Sequence, residues 1–211
     1  MSPSVPEATI RSLGAVAATA AFGSGVLALV FERQWPDPLA VQLADTGTLV
    51  LGVAMLAVVA LHLVSRAAGG ALVVAVRLAA AISATGMIVA VILHLASGRV
   101  DDYSLVDIAT IAGIAALAAL ALLTWRSRRW APVPRLAMLL VPLAIAVALP
   151  VALLTAINVG RDIATTAMAL GYGLVGLAAL VRPALLTQEW PTTGEQVGAS
   201  AELLPMGATR G

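Results

Sequence analysis

Few residues in this chain could do chemistry in an apolar setting, and they are widely spaced. His62 and His94 are its two histidines, Arg77 is a lone cation inside an apolar run, and there is no cysteine. Without cysteine, disulfides, thiolate metal sites, iron–sulfur clusters and thiol nucleophiles are excluded. Lysine is absent as well, which removes imine chemistry and with it a retinal-type chromophore. A haem or metal site must use these histidines or do without histidine. If helices flank a turn at Ser65–Gly70, His62 lies level with about residue 74 of the next helix, and His94 stands ~30 Å further along it. One iron cannot be held by both. A single-histidine haem with Met55, Met87, Met138 or Met168 opposite is the remaining form of that idea; the plainer expectation is that each histidine packs at an interface. An enzyme gathers His, Asp, Glu or Ser within mutual reach. The spacing here does not, so no catalytic residue, metal or cofactor is expected.

Arg77 has two readings. Its stem can lie in lipid while the guanidinium snorkels to the headgroups, or it is a buried cation that takes an anionic group or a helix end. In the second case Arg77, Thr85, Asn158 and Tyr172 are the candidates to line a binding site. Trp125-Arg126-Ser127-Arg128-Arg129-Trp130 is the strongest surface cluster. Aromatics interleaved with arginines at a membrane interface suit anionic headgroups or a protein partner, which makes Trp125, Arg126, Arg128, Arg129 and Trp130 its contact residues. Acids recur where helices should begin: Asp45, Asp162 and the Ser104-x-x-Asp107 pattern read as caps that satisfy free N–H groups. The string Gly171-Tyr172-Gly173-Leu174-Val175-Gly176 matches a dinucleotide fingerprint by letters only; it follows no strand and opens no helix.

The elements that carry these residues follow from composition. Of 211 residues, 61% are hydrophobic and 11% charged, against roughly 25% charged in a soluble domain. Most of the outside must therefore meet lipid. A net charge of +1 gives no reason to expect nucleic acid. Six stretches reach or approach the ~20 apolar residues needed to cross a bilayer: Leu13–Phe31, Gly47–Val64, Ala71–Ala96, Leu105–Trp125, Leu136–Ile157 and Ile163–Val181. The expected fold is an all-α polytopic bundle of six transmembrane helices over residues 1–186, followed by a disordered cytoplasmic tail over 187–211. The first stretch runs past a typical signal-peptide core and is read as an uncleaved helix. With both termini inside, nine arginines fall on the cytoplasmic side and three on the other, which fits the positive-inside rule. The N-in/C-in orientation and a multi-pass location in the cytoplasmic (inner) membrane follow. All-arginine cations with many Ala, Gly and Pro suggest a GC-rich bacterial genome.

The chain is similar to six-helix bacterial membrane proteins of about this length that have no assigned function. Arg126-Ser127-Arg128-Arg129, Pro132-Val133-Pro134-Arg135-Leu136 and Leu170-Gly171-Tyr172-Gly173 carry the resemblance, which implies the fold and supplies no catalytic residue. Solute-binding subunits of vitamin importers also have six helices at this size, and their small-residue pattern is echoed in Ala17-x-x-x-Ala21.

Three functions stay open from the sequence. The first is a non-enzymatic subunit or accessory component that works through a membrane protein partner or as a homo-oligomer. The second is a small-solute binding or transport protein, and the third is the single-histidine haem redox protein.

Overall fold

A computed structural model describes residues 6–31, 37–97, 104–127, 129–154 and 157–187, with the backbone alone at 104–107 and 157–158. The described residues form six long helices: α1 (Glu7–Phe31), α2 (Pro38–Val64), α3 (Ala71–Ser97), α4 (Ser104–Ser127), α5 (Pro132–Leu154) and α6 (Ile157–Val181). A single turn, α7 (Ala184–Thr187), follows. All six long helices are long and apolar enough to cross a membrane. The protein is an integral membrane protein of the multi-pass, all-helical kind. Of the expected tail over 187–211, residues 188–211 lie outside the described residues, while Thr187 closes α7.

Each helix packs against its neighbour in sequence, and α1 closes on α6, so the six form a ring. The α4–α5 seam is its lightest joint. α2 and α6 are the most enclosed members and also touch each other across the ring. Antiparallel neighbours put the start of α1, the α2–α3 turn, the α4–α5 link and the end of α6 at one end. That end holds Arg11, Arg66, Arg126, Arg129, Arg135 and Arg182.

Small side chains set how closely helices approach. A Cβ placed on Gly14 would lie 2.6 Å from the carbonyl oxygen of Gly176 and 2.6 Å from the amide nitrogen of Leu180, so α1 and α6 touch backbone to backbone. Such packing replaces the hydrophobic drive that is missing between helices in lipid. Pro142 and Pro150 are carried inside α5.

Four helices, α1, α2, α5 and α6, begin several residues earlier than hydropathy implies, and the reason is clearest in α2. Asp37 accepts from the backbone N–H groups of Leu39 (2.8 Å) and Ala40 (3.3 Å), and Pro38 occupies the first helical position. An Asp N-cap followed by Pro is a strong helix start. Asp45 therefore does not cap α2; it lies two turns inside it. Leu39–Ala44 belong to the same helix. Asp162 is likewise inside α6, which starts at Ile157.

The C-terminus of α2 is built as a Schellman motif. The Ala67 N–H donates to the His62 carbonyl at 3.3 Å and the Arg66 N–H to that of Leu63 at 3.2 Å, the two bonds that define it. This motif needs a left-handed residue just after the cap, ordinarily Gly. Arg66 fills that position with φ 51°, the only non-glycine described at positive φ.

Candidate functional site

The densest set of polar contacts lies at the arginine-rich end, where α2, α3 and α4 meet the α4–α5 link. His62 is fully buried at its centre. The Arg77 Nε–H donates to His62 Nδ1 at 2.8 Å. Because Nδ1 accepts, the ring proton belongs on Nε2, which lies 2.6 Å from Thr124 Oγ1. Thr124 in turn donates to the Leu120 carbonyl at 2.7 Å. The chain of donors thus runs from α3 through α2 to α4, and its pattern fits the neutral imidazole.

Arg77 makes two further bonds. Its Nη2 donates to the carbonyls of His62 (3.0 Å) and Ala68 (2.8 Å). A cation at the carbonyl end of α2 is also favoured by the helix dipole. The guanidinium therefore does not snorkel away from the protein; it closes the end of α2, as the second reading of Arg77 allowed.

The link after α4 folds over this group. Trp130 is fully buried; its Nε1–H donates to Ser65 Oγ at 2.8 Å, and its ring meets His62 edge-on at 5.7 Å. Ser127 Oγ donates to the Ala67 carbonyl, Arg129 Nη1 donates to that of Arg66 at 3.0 Å, and the Ala131 N–H to that of Leu185 at 2.7 Å. The expectation that Trp130 faces headgroups is corrected: it is a core residue, because its N–H finds a partner in Ser65. Trp125 stays exposed, with Arg135 over its ring at 5.3 Å. Arg126 and Arg129 are exposed; Arg128 lies outside the described residues.

The other end of the same helix pair carries a second polar contact. His94 Nε2 lies 3.7 Å from Asp45 Oδ2, with both side chains largely covered. The α2–α3 hairpin is thus tied at each end by one histidine.

The four candidate lining residues are placed differently. Arg77 is half-buried in the group around His62, and Thr85, eight residues on, is exposed on α3. Tyr172 is buried in α6, its hydroxyl without a hydrogen-bond partner among the described residues. The Asn158 side chain lies outside the described residues. No metal-holding group of three or more His, Cys, Asp or Glu occurs among the described residues.

No family model, no curated protein and no solved structure matches the chain.

Sequence reasoning missed His62, Thr124, Ser65 and Ser127 as one group. A signal for half of it was present: reflection about the turn puts His62 level with residue 74, one helical turn from Arg77. Thr124 and Ser127 carry no such marker, since they meet the group only through tertiary packing of α4.

Proposed function

We propose that this membrane protein is a non-enzymatic component of a membrane assembly, acting through protein partners and not on a bound substrate. One observation carries the proposal: the inward-facing residues best suited to chemistry, Arg77, His62 and Thr124, bond in a chain through His62 and to nearby backbone carbonyls. Such groups fix helix packing, and a buried polar set of this kind is sensitive to any missing partner. Function then falls to the outer surfaces. There Thr85 presents a hydroxyl on the exposed face of α3, a type of residue that bonds across helix–helix contacts in lipid. A photo-crosslinking residue at Thr85 is expected to capture a discrete second polypeptide in native membranes, and lipid adducts alone would count against the proposal.

The solute-binding alternative has one observation in its favour, the buried Tyr172 hydroxyl with no partner among the described residues, since buried hydroxyls normally find a partner. A solute that raises the melting temperature of the wild type, and not of Tyr172→Phe, would support it. The haem alternative gains nothing comparable: His62 uses both ring nitrogens within the protein, and His94 Nε2 faces Asp45.

The arginine-rich end is proposed to face the cytoplasm, with the protein in the cytoplasmic membrane, because that bias is the common determinant of orientation.

A further inference from the structure

One arginine, Arg66, sits in the α2–α3 turn, and two more, Arg77 from α3 and Arg129 from the α4–α5 link, bond to its carbonyls. Arg66 sits at the left-handed position of the Schellman motif, φ 51°. Gly is the ordinary choice there, sometimes Asn, and a long side chain such as arginine is strained. The chain has Gly69 and Gly70 only a few residues on, yet the strained position holds arginine. Its side chain is exposed and makes no hydrogen bond or ion pair with any described residue. Strain kept at one residue points to a use for its side chain.

Two more guanidinium groups are fastened to the same turn. Arg129 Nη1 bonds to the carbonyl of Arg66, and Arg77 Nη2 bonds to that of Ala68, two residues on. Three bonds from Nε and Nη2 hold the Arg77 guanidinium, which leaves the donors of Nη1 without a partner among the described residues. No described carboxylate pairs with Arg66, Arg77 or Arg129. Beside them Gly69 and Gly70 are exposed, and a Cβ on either would meet nothing within 4 Å. Three like charges around one short turn repel each other, and a multivalent anion relieves this best. Arginine suits phosphate oxygens through its planar set of donors.

We infer that the α2–α3 turn is a binding site for the phosphate of an anionic phospholipid headgroup, held by Arg66, Arg77 and Arg129. A lipid is the fitting source because the turn joins two membrane-spanning helices, at the depth where headgroups lie. The site shares Arg129 with the expected Trp125–Trp130 surface but is centred on the turn, and Trp130 supports it from within the core.

Arg66→Gly gives the sharpest test, since it removes the charge while relieving the backbone. Native mass spectrometry would follow stepwise delipidation of protein reconstituted in phosphatidylglycerol–phosphatidylcholine nanodiscs. Wild type is expected to retain phosphatidylglycerol. Arg66→Gly and Arg129→Gln should each hold it roughly fivefold less well, with Arg66→Gly melting no lower than wild type. Arg182→Gln, at the same end and outside the turn, should retain it as wild type does. Equal retention by wild type and Arg66→Gly would overturn the site, and so would an equal loss in Arg182→Gln, which would show surface charge alone. Inorganic phosphate at millimolar concentration should not displace the lipid; displacement by it would assign the site to a free anion and overturn the lipid.

Discussion

Arg77 and His62, on neighbouring helices and 15 residues apart, meet through a 2.8 Å bond from guanidinium Nε to imidazole Nδ1. This bond ties the single arginine of α3 to α2, places the imidazole proton on Nε2, and orients Nε2 toward Thr124. Two residues that look isolated in the sequence thus form the centre of the arginine-rich end.

Replacing Arg77 by Leu would remove three bonds at once and leave His62 Nδ1 as a buried acceptor with no donor. Hydrogen bonds from charged groups are worth roughly 1.5–3 kcal/mol each in soluble proteins, while interhelical bonds in membranes average ~0.6 kcal/mol. A loss of about 1–3 kcal/mol is expected for Arg77→Leu in a reversible unfolding titration in mixed micelles. A change below ~0.5 kcal/mol would mean that the bond adds little.

Coupling between His62 and Thr124 can be measured separately. His62→Ala, Thr124→Val and the double variant form a cycle, and the 2.6 Å contact predicts a coupling energy of about 0.5–1.7 kcal/mol. Strict additivity of the two single effects would show that the hydroxyl and the ring do not depend on each other.

The α1–α6 contact leaves no space for a side chain at Gly14, because both near atoms, Gly176 O and Leu180 N, belong to backbone. Gly14→Val must push the helices apart, with a destabilisation of about 1–3 kcal/mol. Gly23, on the same helix, has open space around its Cβ position, and Gly23→Ala should be tolerated. Equal melting temperatures for the two variants would contradict the close approach.

Orientation is testable because the chain has no cysteine. A single cysteine at Gly69, where a side chain meets nothing, should resist a membrane-impermeant thiol reagent in intact cells and react after permeabilisation. Labelling in intact cells would place the arginine-rich end outside.

Hydropathy made the six helices legible, since a span of about 20 apolar residues has few other uses. It misplaced helix starts where polar residues continue a helix beyond the apolar run. Asp45 looked like a cap because the hydropathic stretch begins at Gly47, yet the Asp37-Pro38 pair already signals the start of α2. Trp130 looked interfacial because aromatics beside arginines usually are; only the fold of the link over Ser65 buries it. Arg66 carried no visible sign of its strained backbone, which depends on where α2 stops.

The central claim is that the protein works through partners while its buried polar residues hold helices together. Native mass spectrometry of the protein gently extracted from its own membranes tests this most directly. The expected result is a second polypeptide, or a second copy of this chain, at fixed stoichiometry, retained in Tyr172→Phe. A lone 21.3 kDa chain carrying a stoichiometric nonlipid small molecule, lost in Tyr172→Phe, would contradict it and make solute binding the function.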